Sequence, residues 1–304
     1  MATTSDEQPT SPQTNRDGVA VFGRHVIALI DFLGQASELE KWDSAPGTAA
    51  QMTAWRLAAQ NSLGRVLMWR EEFGKRFTQF RAEIDRLAEQ SSNGQPLEVR
   101  RKFDQYRKTP LDTAHFSDSL IFYSPLQNEH GYWQVTNVAS MVATCGMLML
   151  AALATKVAFR GAIEVGMLGR FPTGDPYGPA LSKAHHLEAK VADYPRIIVG
   201  PDLLSYLDAT IRNPDTDGPA QVNRDVAAIC REFIAQDTDG CWIVDYLSEK
   251  LAGSTAGSAL RHQVLSEARA FVQAEIERFT KEGNDKLAKR YERLLAYFRS
   301  RGIT

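Results

Sequence analysis

The chain has 304 residues, with 35 Lys and Arg against 37 Asp and Glu for a formal charge of −2, and 43% of it is hydrophobic. This length allows two domains and the composition suits a large buried core, which excludes a disordered acidic chain and a collagen-like one. Neither the total charge nor any Lys/Arg run supplies the basic surface that neutralises nucleic-acid phosphates, so no nucleic-acid groove is expected.

Cys145, Cys230 and Cys241 are an odd number without Cys-x-x-Cys spacing. They suit neither a zinc cluster nor a disulfide framework, and a reducing cytoplasm is expected. Residues 1–20, polar and without an apolar signal core, read as a disordered leader.

In chain order, His25 to Ile30 reads as a buried strand ending in a turn at Asp31-Phe32-Leu33-Gly34. A helical insertion comes next at about 47–108: two helices or one kinked helix over 48–90, a break at SSNGQP, then a basic helical piece over 97–108. Thr113 to Ser124 is a hairpin turning at Ser117-Asp118-Ser119. Thr136 to Thr155 carries no charge and is long enough to cross a bilayer. Its Thr, Asn, Ser and Ala content and its direct run into Lys156 favour a buried or interface helix, and no membrane partner is expected. Residues 156–165 read as a strand, 166–178 as a Gly/Pro loop, 179–194 as a helix and 195–200 as a short strand. Helical text surrounds 241–247. The end, from about Ser258, reads as two charged amphipathic helices parted near Gly283-Asn284, a solvated or packing appendage.

This order predicts an α+β fold with one sheet covered by helices on one face, like a ferredoxin-like core with extra strands. The expected layout is a leader at 1–20, one domain over 21–255 and a helical extension over 256–304.

Asp31 and Asp118 are the sharpest chemical signal. Singly, each reads as a helix cap or an ordinary turn residue. Together, one at the end of a strand and one at the tip of a neighbouring hairpin, they can hold two divalent ions, bridge phosphates and lower the pKa of an attacking hydroxyl. His185 and His186 point about 100° apart on a helix and do not face one metal. No P-loop, nucleophile elbow or Rossmann glycine fingerprint occurs.

Four segments in order, Ile30-Asp31-Phe32-Leu33-Gly34, Phe116-Ser117-Asp118-Ser119-Leu120, Phe159 to Gly166 (FRGAIEVG) and Asp175 to Glu188 (DPYGPALSKAHHLE), resemble the class III nucleotidyl cyclases. With Tyr194-Pro195-Arg196-Ile197 they look, more narrowly, like the pyrimidine-specific cyclases of bacterial anti-phage Pycsar systems, over about 22–200. The resemblance implies a class III cyclase core that binds two Mn²⁺ or Mg²⁺ ions through Asp31, Asp118 and the carbonyl of Phe32. It also implies phosphate contacts from the Phe32, Leu33 and Gly34 amides at a helix start; Arg160 reads either as neutralising developing charge or as an exposed arginine paired across the sheet.

Measured against that family, Ser182 stands where an Asn positions the ribose, His186 where an Arg stabilises the transition state, and Ala114 where a Lys reads the base, while Asp175 is retained. Tyr177 and Phe116 narrow the base pocket. These departures imply a pyrimidine nucleoside triphosphate, UTP before CTP because the Asp175 carboxylate can accept the uracil N3–H. They also suit an adenylyl or guanylyl cyclase with altered base contacts, or an inactive nucleotide sensor. The resemblance further implies a homodimer with composite active sites, the 136–155 helix burying surface at its interface, and a cyclic product read by a separate effector.

Overall fold

The structure, a computed structural model, describes residues 21–34, 47–92, 98, 101, 110–116, 119–128, 130–171, 175–216, 218–252 and 258–303. The first apolar run makes a strand longer than its pattern suggests: β1 covers Val21–Phe32. Val26, Ala28, Ile30 and Phe32 face one side and Ile27 and Leu29 the other, and all six are buried. Burial on both faces marks a central strand. The predicted hairpin forms from β2 (Asp112–Phe116) and β3 (Ser119–Pro125), and β3 and β4 (Phe159–Arg170) flank β1, all antiparallel.

The sheet continues through β6 (Ile197–Val199), β8 (Trp242–Val244) and β7 (Ile234–Gln236), in the order β2-β3-β1-β4-β6-β8-β7, while β5 (Pro176–Tyr177) pairs with the end of β4. Because β4 and β6 run parallel, the sheet is mixed and the fold is α+β.

One face is covered by helices. The part of the insertion expected as two helices or one kinked helix is a single helix, α1 (Ala49–Ser92), of 44 residues, and Trp69, Phe73 and Phe77 recur at four-residue spacing on its buried stripe. Phe73 stacks on Phe122 of β3 with ring centroids 3.6 Å apart. Apart from positions 98 and 101, the basic piece expected at 97–108 lies outside the described residues.

The uncharged segment forms α2 (Val135–Ala154), buried along most of its length between α1 and two later helices, α5 (Gly218–Glu232) and α7 (Ser258–Lys281). It is a core helix of its own chain. The expectation that it buries surface at a dimer interface is therefore corrected, since its surface is already covered from within.

Two boundaries also differ. β4 runs on to Arg170, where a loop was expected from 166, because Gly166 to Arg170 pair with His25 to Val21. Ladder pairing across strands overrides the turn tendency of the glycines. The helix expected over 179–194 is α3 (Pro179–His186) followed by a π turn, Leu187–Val191, closed by the Ala192 N–H donating to the Leu187 carbonyl at 2.9 Å. β7 had no sequence signal of its own.

The terminal helices pack into the main core. α8 (Asp285–Ser300) starts at Asn284, whose side chain accepts the Leu287 N–H, and it buries Tyr291, Leu294 and Phe298 in the cluster that holds the sheet. The Tyr194-Pro195-Arg196-Ile197 segment ties this end down. Arg196 is 1% exposed, with Nη1 2.5 Å from Asp237 Oδ2 and Nη2 donating to Asp239 at 2.7 Å and to the Val191 carbonyl at 2.8 Å. Arg293 of α8 reaches the same Asp239 and also Asp193. The buried guanidinium clamps the end of the π turn, the β7–β8 turn and α8 together.

Candidate functional site

Antiparallel pairing lines up one residue from each of four adjacent strands. Phe116 of β2 pairs with Ser119 of β3, Ser119 with Asp31 of β1, and Asp31 with Arg160 of β4. The row lies on the sheet face away from α1 and α2, where Ile27, Leu29, Ile121 and Tyr123 pack against Ala180 and Ala184 of α3. Two alanines on that stripe, with Ala180 against Gly166, let the helix lie close to the sheet.

Asp31 Oδ1 accepts a hydrogen bond from the Ser119 hydroxyl at 3.2 Å, and its Oδ2 is 3.6 Å from Arg160 Nη2. Arg160, its side chain 20% exposed, also sits 2.5 Å by Nε from Glu188 Oε1 in the π turn. That second contact is an ion pair without hydrogen-bond alignment. Burial pushes the Glu188 carboxyl above its usual range, the Arg160 charge opposes that shift and the Asp31 charge adds to it. The centre thus holds two carboxylates around one guanidinium.

Asp118 lies outside the described residues; its chain neighbour Ser119 is the register partner of Asp31. Of Phe116, whose side chain is likewise outside them, only the strand position is described. Phe32 turns its ring to the opposite, helix-covered face, edge-on to Phe159 with centroids 6.1 Å apart.

Of the phosphate cradle expected after β1, the Leu33 N–H already donates to the Ala158 carbonyl at 2.9 Å, and residues 35–46, where the expected helix start falls, lie outside the described residues.

The remaining expected residues sit elsewhere. Ser182 and His186 are exposed on α3, each two residues and so about 200° round the helix from the sheet-facing Ala180 and Ala184. Asp175 and Tyr177 lie at the far end of β4, where Tyr177 pairs with Gly169. Nine strand residues separate that end from Arg160, roughly 30 Å at about 3.3 Å each. Tyr177 is 67% exposed, with its ring 5.7 Å from that of Phe171. Within one chain, the structure joins Asp31 and Arg160 and leaves Asp175, Tyr177, Ser182 and His186 apart from them.

Ser119 and Glu188 are the partners that sequence reasoning gave no role. Glu188 had a signal: it lies four residues beyond Ala184 and eight beyond Ala180, a carboxylate on the buried stripe of a helix, where an ionised group needs a partner.

The donors present are hard oxygens, of the type that suits Mg²⁺ or Mn²⁺, so the chemistry of Asp31 fits the divalent ions the resemblance implies. Among the described residues no group of three or more His, Cys, Asp or Glu converges on one point. The chain matches no protein-family model, no curated protein and no solved structure.

Proposed function

We propose that this protein is a metal-dependent pyrimidine nucleotide cyclase that converts UTP to 3′,5′-cyclic UMP and pyrophosphate, works as a cytoplasmic homodimer, and makes a messenger for a separate effector. The observation that carries this reading is the row Ser119–Asp31–Arg160, held in register across three strands on the sheet face that carries α3. The strand order β4-β1-β3-β2, with α1 and α2 as the two crossovers, is that of the ferredoxin-like core such cyclases share.

The separation of the candidate groups supports the dimer. A copy related by a twofold axis can bring the Asp175 and Tyr177 end of one chain's β4 to the Asp31 end of the other, giving two composite sites.

In this reading the ribose 3′-oxygen bonds to the α-phosphorus, the bond to the bridging oxygen of pyrophosphate breaks, and the hydroxyl proton passes to solvent. Bound divalent ions supply charge neutralisation and acidify the hydroxyl. Asp31 and Asp118 hold those ions, Ser119 orients the Asp31 carboxylate, and Arg160 faces the charge that develops on the leaving group. Tyr177 and Phe116 flank the base and Asp175 accepts its N3–H.

A second reading, a nucleotide-binding module without catalysis, is favoured by the placement of His186 and Ser182 on the solvent side of α3. Incubation with each of the four nucleoside triphosphates and Mn²⁺, followed by mass analysis, separates the two. Cyclic UMP as the main product is expected, lost in Asp31→Ala while the fold and the dimer persist. Cyclic AMP or GMP as the main product refutes the pyrimidine assignment, no cyclic product favours the module, and full turnover by Asp31→Ala refutes the metal assignment.

A further inference from the structure

α1 is longer than the body it covers. At 1.5 Å per residue its 44 residues span about 66 Å, against about 50 Å across a compact domain of this size. Its first turns accordingly stand clear of the core: no residue from Ala49 to Asn61 is buried, and burial starts at Ser62. This part of the helix and the two turns after it carry large aliphatic side chains in water, with Leu57, Leu63, Leu67 and Met68 each 48–60% exposed. Leu57, Gly64, Leu67 and Met68 follow helical spacing on the side away from the buried Val66 and Trp69, and Leu63 flanks them. A Cβ at Gly64 would meet nothing within 4 Å, so the centre of the stripe is bare backbone. An apolar patch of this kind marks a protein contact.

The charges bounding the stripe have opposite signs. Arg56 stands beside Leu57 at one end; at the other is Glu71, its side chain 69% exposed and paired along the helix with Lys75. Such a stripe is complementary to itself when reversed. With two α1 helices antiparallel and crossing at Gly64, positions equally far before and after Gly64 face each other: Arg56 and Leu57 meet Glu72 and Glu71, and Gln60 and Asn61 meet Met68 and Leu67.

We propose that the outer face of α1 binds a second copy of this chain, the two α1 helices packing antiparallel about a twofold axis with Gly64 at the crossing and Arg56 of each copy against Glu71 of the other. The bare backbone at Gly64 lets the helices approach closely, and the exposed leucines and Met68 leave water together. This contact lies on the helix-covered side of the sheet, whereas the row Ser119–Asp31–Arg160 lies on the side that carries α3. It is therefore separate from the twofold contact of the cyclase reading and does not rest on that reading.

Sedimentation velocity of the full chain across the micromolar range reads the association, and circular dichroism checks the fold of each variant. The unaltered chain is expected to show a concentration-dependent association step. Gly64→Leu is expected to abolish that step without lowering the thermal midpoint, because leucine favours the helix and meets nothing within its own chain but fills the crossing. Arg56→Glu is expected to weaken association about tenfold by setting like charges together twice, and Arg56→Glu/Glu71→Arg to restore it. An unaltered chain that stays monomeric would leave the face to a different protein and overturn the proposal. A step that Gly64→Leu leaves unchanged belongs to another contact between copies and overturns it too. So does a charge reversal that has no effect, or one that the double reversal does not repair.

Discussion

Replacing Arg196 by methionine tests the clamp that ties α8 and the π turn to the sheet. Methionine keeps much of the apolar stem and removes the guanidinium, so Asp237, its side chain 4% exposed, is left buried beside the Tyr194 hydroxyl without its cation. Removing one partner of a buried ion pair costs about 3–5 kcal/mol, much of it from the charge left behind. At about 2 °C per kcal/mol for a chain of this size, the thermal midpoint should fall by about 6–10 °C. Urea unfolding followed by circular dichroism measures the free energy directly. Arg196→Met/Asp237→Asn should cost less than Arg196→Met alone, because the stranded charge is also removed. A loss under ~1 kcal/mol, or a double variant no more stable than the single, would refute the reasoning. The pH response has a defined sign. The hydrogen bond from Arg196 holds the Asp239 carboxyl below its ordinary value of 3.8, so this group contributes stability above that pH and loses it as pH falls further. Arg196→Met should flatten that acid limb.

Gly161→Ala places a Cβ 2.6 Å from the Leu29 carbonyl oxygen of the adjoining strand, and backbone cannot yield as a flexible side chain would. A cost of about 1–3 kcal/mol is expected in urea unfolding, and unchanged stability would contradict the strand spacing. Glu164 is buried at the start of α4 (Pro201–Ile211), where Oε1 accepts the Leu203 N–H at 2.8 Å and the Val165 N–H at 2.9 Å. Burial raises its carboxyl above the ordinary 4.5, with the hydrogen bonds opposing, so the folded chain holds this proton more tightly and the stability it gives is lost as pH rises above 4.5. The thermal midpoint of Glu164→Gln should therefore gain on that of the unaltered chain between pH 4 and pH 7; a constant difference would argue against it. Asp31→Ala should unfold within ~1 kcal/mol of the unaltered chain, since its carboxylate is partly solvated, and a collapse of the fold would make Asp31 structural.

Local patterns in the sequence carried most of the elements. A β-branched run marks β1, aromatic residues about a Ser-Asp-Ser turn mark the hairpin, the charge-free stretch marks α2, and Gly283-Asn284 marks the joint between α7 and α8. These signals are short-range: side-chain period and turn chemistry act within a few residues. The single 44-residue α1 was not decided this way, because exposed Leu57, Leu63 and Leu67 blur the division between its buried and solvent faces.

The candidate site divides along the same line. That Asp31 ends a strand was legible, and the four ordered segments suggested its chemistry. That Ser119 and Arg160 flank Asp31, that Glu188 reaches Arg160 from the π turn, and that Asp175 and Tyr177 sit at the other end of β4 depend on strand register. Register comes from matching the buried faces of segments far apart in the chain, so one segment's pattern read alone does not give its partner residue. The role of Arg196 was hidden for a similar reason: a buried arginine at the entry to an apolar strand is costly alone, and only the convergence of Asp237, Asp239 and the Val191 carbonyl in three dimensions makes its burial stable.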